Sequence, residues 1–270
     1  MIGAILGDFV GSIYEFNNIK TKDFNLYDEE MEFTDDSILT IATAHWLLKG
    51  GEPGAYYCEY ANKHRFPMGG YGGMFSNWVT RCMENNTIMP PYNSCGNGSA
   101  MRVSPVGWFF NTEQEVLEAA KRSAECTHNH PEGIKGAQAV ALAILLARRN
   151  TPVNEIARRI EHDFGYNLSL SVDEIRKRYS WNGMDDDMDG GTCQGSVPQA
   201  ISCALQATDF EDALRNAVSI AGDSDTIACI AGGIAQAIFG LSQPLVDFAM
   251  SKLDPELKSV VDEFVKVAMS

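Results

Sequence analysis

The sequence predicts an all-α fold, a single compact orthogonal helical bundle, on three observations. Apolar residues recur at helical spacing along most of the 270-residue chain, no stretch alternates convincingly in the manner of a strand, and the connections between periodic segments are polar and glycine-rich. With 45% hydrophobic residues the chain is long enough to bury a substantial core, which excludes disorder. No fixed-period repeat and no compositional break marks a linker, so residues 1–270 are expected to form one domain.

The periodicity places the elements in order. A first helix is expected over 2–16, an almost wholly apolar run whose only charges are Asp8 and Glu15. A second, over 35–49, is opened by Thr34 as N-cap, with Asp35 and Asp36 in a first turn where the helix dipole favours carboxylates. Helical spacing then predicts segments at 53–63, 72–83 and 113–126, and Pro131 begins another at 131–149. Further helices are expected at 154–164, 172–179, 197–207, 210–221, 223–239 and 255–267. The Ala- and Gly-rich runs at 136–147 and 228–237 predict helix axes that approach closely. Between helices, the connections at 68–73, 90–98 and 181–195 are the places where a site can gather.

Composition excludes several classes of function. The net charge is −15, and no basic run occurs, which argues against a surface that grips nucleic acid or anionic membrane. The longest apolar stretches, 139–147 and 227–239, are too short to span a bilayer, and the N-terminus lacks a basic signal-peptide region. Seven scattered cysteines without a CxxC pair read as reduced core thiols, and a cytoplasmic protein is the expectation.

Two helix starts carry the chemistry. Phe33-Thr34-Asp35-Asp36-Ser37 alone is explained by capping, but Gly222-Asp223-Ser224-Asp225-Thr226 opens a second apolar helix with the same elements. If the two turns face each other, Thr34, Asp35, Asp36, Asp223, Asp225 and Thr226 supply six oxygen-bearing side chains and no soft ligand. Such a set selects Mg²⁺ or Mn²⁺ over zinc and makes room for two ions. On the first helix, Asp8 and Glu15 fall at i and i+7 on one face. The apolar surroundings imply burial, and a buried carboxylate needs a partner: a metal, a water or a ligand hydroxyl.

Two further stretches are weaker alone. Thr127-His128-Asn129-His130 leaves two imidazoles in the loop before Pro131. Cys95-Gly96-Asn97-Gly98-Ser99-Ala100-Met101-Arg102 has glycines that bring main-chain N–H groups near an anion. Two imitations are set aside. The hydrophobic-DxDxT pattern over 219–226 lacks the preceding strand that an aspartyl-phosphate phosphatase requires. The run Asp185-x-Asp187-x-Asp189-Gly190 has Ser196 where a calcium loop needs its bidentate Glu, so a solvated polar loop is expected.

The order of these motifs is specific. Gly-Asp-x-x-Gly-x-x-x-Glu at 7–15, Phe-Thr-Asp-Asp-Ser at 33–37, Gly-Asn-Gly-Ser-Ala-Met-Arg at 96–102, Thr-His at 127–128, Ser-Val-Pro at 196–198 and Gly-Asp-Ser-Asp-Thr-Ile-Ala at 222–228 run through nearly the whole chain. Together they resemble the ADP-ribosylglycohydrolase family, which includes the dinitrogenase reductase-activating glycohydrolases. The resemblance implies an all-α fold with two Mg²⁺ or Mn²⁺ ions in a cleft, and hydrolysis of the ribosyl C1 bond joining ADP-ribose to an arginine or serine side chain or a small conjugate. By position, Thr34, Asp35, Asp36, Asp223, Asp225 and Thr226 would hold the metals, with Asp36 and Asp225 essential to turnover. Glu15 matches the acid/base or water-orienting glutamate near the scissile ribose. Gly98, Ser99 and Met101 match a diphosphate loop, His128 matches a ligand-contacting histidine, and Gly72 and Gly73 would line the same cleft. Ala221 departs from the family, which often has a second glycine there; packing is the expected consequence. A non-catalytic binder of metal or ADP-ribose and a metal-dependent nucleotide phosphoesterase are the alternatives.

Overall fold

The computed structural model describes residues 1–269. In chain order the helices are α1 (Ile2–Ser12), α2 (Asp35–Lys49), α3 (Pro53–Lys63), α4 (Gly73–Asn85), α5 (Gly98–Met101), α6 (Ser104–Phe109), α7 (Glu113–Glu125) and α8 (Pro131–Arg148). They continue as α9 (Val153–Phe164), α10 (Val172–Arg178), α11 (Cys193–Leu205), α12 (Phe210–Ser219), α13 (Ser224–Phe239), α14 (Gln243–Lys252) and α15 (Pro255–Ala268). The strands β1 (Tyr179–Ser180) and β2 (Gly183–Met184) pair antiparallel as a small hairpin. The all-α expectation holds.

At the centre lies an antiparallel pair, α1 against α13, and it depends on a ridge of small residues. A Cβ added at Gly3, Gly7 or Gly11 would fall 2.3 Å from Gly232 O, 1.9 Å from Ala228 O and 2.4 Å from Asp225 Cα. Glycine every fourth residue therefore lets the two backbones touch, and the contact brings the end of α1 to the start of α13. Around this pair pack α8, α11 and α12, while α2 joins α1 to α3, α6 and α15. Five of the seven cysteines are buried and two half-buried, all as free thiols. Among the described residues no helix is long and apolar enough to cross a membrane.

Several boundaries differ from expectation, each for a physical reason. Helix α1 stops at Ser12 instead of 16. The Asn18 side-chain amide donates to Tyr14 O at 2.7 Å, Glu15 O at 3.0 Å and Gly222 O at 2.9 Å, replacing the backbone donors that another helical turn would supply. Helix α11 begins four residues early, at Cys193, because Thr192 caps it by accepting from Gly195 N at 3.2 Å. Helices α5 and α6 are too short to show a period, and α14 falls outside the helices expected from the periodicity.

The connections converge at one end of the α1–α13 pair. Thr34 pairs with Met68 as an isolated parallel bridge, and Gly96 pairs with Thr192 as an antiparallel one. Asn97 N donates to Gly191 O at 3.0 Å and Cys193 N to Cys95 O at 2.9 Å. Trp181 Nε1 donates to Glu15 O at 3.1 Å. The 181–195 connection is thus folded against the glycine loops and is not simply solvated, although Asp185, Asp186, Asp187 and Asp189 are exposed.

Candidate active site

A cavity of about 480 Å³ opens where these connections meet. One wall is built from the starts of α2 and α13. Asp36 and Thr226 are buried there, and Thr226 Oγ1 donates to Asp36 Oδ2 at 3.1 Å. Two groups of carboxylates follow: Asp8, Asp36 and Asp225 form one, Glu15, Asp223 and Asp225 the other. Within each group, one oxygen per residue lies within 4.8 Å of the others, and Asp225 belongs to both.

These acids differ in what the protein gives them. Asp8 is fully buried, and its oxygens accept from Thr34 N at 3.0 Å, Thr34 Oγ1 at 2.7 Å, Ser37 N at 3.0 Å and Ser37 Oγ. The partner it finds is the first turn of α2, which it caps from a neighbouring helix, and not the metal, water or ligand hydroxyl expected from the sequence. Asp36 is equally deep, yet its Oδ1 has no hydrogen-bond partner among the described residues. Asp225 Oδ1 accepts from Thr226 N at 2.9 Å, and Asp223 Oδ2 from Asn97 Nδ2 at 2.7 Å. Burial first, then mutual repulsion, holds Asp35, Asp36 and Asp225 well above the usual carboxylate range. Asp223 is raised by burial too, against the help of its hydrogen bonds.

Glu15 reaches the cavity from the loop after α1, so the i, i+7 face is not what places it. Burial, then Asp223 and Asp8, push its carboxyl up to about 7. Gly69 must be glycine beside it: its φ is +75°, and a Cβ there would sit 2.6 Å from Glu15 Oε2.

The facing wall carries Tyr92, Ser94, Gly96, Gly98, Arg102 and His128. His128 is buried, with Nδ1 at 2.8 Å from Thr127 Oγ1. Burial, then the Arg102 charge, pushes its pKa well below the ordinary value.

Glu15, Asp35, Asp36, Asp223, Asp225, Thr226, Gly72, Gly73, Gly98, Met101 and His128 all line this one cavity. Thr34 and Ser99 lie behind its surface. The Thr34 hydroxyl binds Asp8 and accepts from Asp36 N at 3.2 Å, and the Ser99 hydroxyl donates to Gly133 O at 2.7 Å. Asn97 had no assigned role, although it stands inside the flagged 95–102 motif and its amide anchors Asp223. Asp189 and Gly191 also line the cavity from the connection read as solvated.

An acid-walled cleft between two helix starts of an all-α bundle defines the class of protein. A family model described as ADP-ribosylglycohydrolase matches residues 1–268, and the chain belongs to that family. It is 27% identical to the ADP-ribosylhydrolase ARH3 of Mus musculus over 316 aligned residues, covering 90% of this chain and 83% of that protein. The Homo sapiens ADP-ribosylhydrolase ARH3 is 26% identical, with 90% of this chain and 85% of that protein covered. A solved structure titled as an ADP-ribosylglycohydrolase-related protein complex superposes with a TM-score of 0.66 at 18% identity over 99% of both chains, a likeness of fold.

Proposed function

We propose that this protein is a metal-dependent hydrolase that removes ADP-ribose from modified side chains, or from a small ADP-ribosyl conjugate, by cleaving the ribosyl C1 bond. The observation that carries the reading is the pair of carboxylate groups sharing Asp225, with the buried Asp36 Oδ1 left without a partner. A buried, unpartnered acceptor in an oxygen-only set fits a hard divalent cation. Thr34, Asp35, Asp36, Asp223, Asp225 and Thr226 would hold two Mg²⁺ or Mn²⁺ ions. Such ions, when bound, would polarise ribose hydroxyls and water and spread the charge of an oxocarbenium-like transition state.

The chain's own groups supply the rest. Thr34 gives its proton to Asp8 at 2.7 Å, which leaves lone pairs on Oγ1. Thr226 does the same toward Asp36. Glu15, held above the usual range and lining the same cavity, would serve as the acid/base or water-orienting group. Positive charge beside Asp223 would favour its ionised form. Gly98, Met101 and His128, with the Gly72–Gly73 edge, would seat the nucleotide; Ser99 would contribute only main chain, because its hydroxyl is committed to Gly133. The cavity volume lies in the range that takes a small organic ligand.

The test incubates the protein with ADP-ribosylated arginine and serine substrates in Mg²⁺, in Mn²⁺ and in EDTA. Metal-dependent release of free ADP-ribose is the expected result. Tight binding without release makes the protein a binder, and release of AMP makes it a phosphoesterase.

A further inference from the structure

Arg102 is fully buried, and among the described residues no carboxylate forms an ion pair with it. Its guanidinium lies 4.0 Å from the centroid of the Tyr57 ring, and its Nη2 donates to Ser123 O and to Thr127 Oγ1, both at 2.8 Å. A guanidinium has no acceptor, so the Thr127 oxygen must receive this bond. That bond takes one of the two lone pairs of the Thr127 oxygen and leaves the hydroxyl proton to give, with the ring nitrogen at 2.8 Å, His128 Nδ1, as an acceptor within reach. A ring that accepts this proton at Nδ1 carries its own on Nε2.

From these contacts we infer that Arg102 and Thr127 are positioning residues: they fix the tautomer of His128 so that Nε2–H faces the cleft. Nε2 lies 3.1 Å and 3.5 Å from where Cβ atoms at Gly98 and Gly96 would stand, so glycine at both positions keeps this donor uncovered. A neutral N–H at that place takes an acceptor oxygen, such as one of a diphosphate or ribose. The inference deepens the reading above and rests on it for the ligand alone; the tautomer itself stands on the contacts within the protein.

Two-bond ¹H–¹⁵N spectra of His128 in the full, unliganded chain read the tautomer directly. The wild type is expected to show Nε2 protonated and Nδ1 bare. Thr127→Val, which removes the hydroxyl, is expected to give a mixture, and Thr127→Ser to restore the wild-type pattern. Arg102→Met should also give a mixture. Because that buried change can disturb folding, the Thr127 pair decides the matter. In calorimetry with ADP-ribose and Mg²⁺, Thr127→Val should weaken binding about three- to tenfold, the worth of one hydrogen bond, with Thr127→Ser within about twofold of wild type. A wild-type ring protonated at Nδ1, or a Thr127→Val spectrum identical to wild type, overturns the inference. A shifted tautomer with unchanged ADP-ribose affinity would instead overturn the placement of the ligand against His128.

Discussion

The two walls of the cleft handle buried charge in opposite ways. On the wall made by α2 and α13, carboxylates crowd within 4.8 Å of one another, and among the described residues no lysine or arginine is paired with them. On the facing wall Arg102 is buried, and among the described residues it has no acid beside it as an ion pair and its Nε and Nη1 lack hydrogen-bond partners. Each wall alone is a costly arrangement, because an isolated buried charge is strongly disfavoured. Under the proposed function the two are complementary: cations would lie against the acids, and electron-rich oxygens toward the side of Arg102 and His128. Divalent ions with a nucleotide diphosphate have that polarity, and so the global charge of −15 says little about what the cleft binds.

Removing one acid from the crowded wall breaks the comparison most severely. Asp36→Ala or Asp225→Ala is expected to cut turnover at least about 100-fold through loss of metal, while leaving the metal-free melting temperature equal or higher because repulsion is relieved. Activity equal to wild type in either variant would sink the site assignment. Calorimetric titration with Mn²⁺ alone should show the same loss of binding.

Metal addition comes next in size. An ion at 100 times its Kd stabilises by about 2.7 kcal/mol, or roughly 5–10 °C for a chain of this length. Without metal, Glu15 titrates near 7 against an ordinary 4.5, and Asp8 near 6 against 3.8. A raised carboxyl pKa means that the folded state holds more protons than the unfolded one between those values. The Met1 amine and His128, both held down by burial, act the other way, but the raised acids Asp8, Glu15, Asp35, Asp36, Asp223 and Asp225 outnumber them, so metal-free stability should fall as pH rises from about 4 to 7. Saturating Mg²⁺ should flatten or reverse that slope, and melting curves in EDTA that rise with pH over this window would contradict the assignment.

How much of this was legible differs by residue. The two Thr/Asp turns could be read because capping preference and oxygen-ligand chemistry use the same residues, and their repetition exceeded what capping alone explains. The ridge of Gly3, Gly7 and Gly11 lay inside the stretch that was read, but what it touches depends on a helix more than 200 residues away. Asn97 was missed because an amide that anchors a carboxylate has no local signature; its partner, Asp223, is distant in sequence. Glu15 was assigned a role by resemblance, but the helical face offered for it was wrong, since Asn18 ends the helix first.

Asp8 and Asp36 sharpen the contrast within the acid wall. Asp8→Asn keeps one acceptor oxygen for the donors gathered at Oδ2, Thr34 N, Ser37 N and Ser37 Oγ, and turns an NH2 toward the Thr34 hydroxyl that had donated to Oδ1. The expected cost is about 1–3 kcal/mol, seen as a lowered melting temperature of similar size with and without Mg²⁺. If the loss appeared only in metal, Asp8 would be acting as a ligand and not as a cap for α2.

The smallest effect concerns the backbone that leads into the second Thr/Asp turn. Ala221 adopts φ +68°, a left-handed conformation that an L side chain disfavours and glycine accepts freely. The departure from the family's second glycine is therefore a matter of backbone conformation as much as of packing. Ala221→Gly relieves the strain in the folded state but restores freedom to the unfolded chain, and the first effect should win, since alanine at positive φ costs more than the entropy it saves. The expected gain is about 0.5–1 kcal/mol, a rise of roughly 1–4 °C that persists in EDTA. A fall in melting temperature would mean that contacts of the Ala221 methyl group outweigh the strain at its backbone.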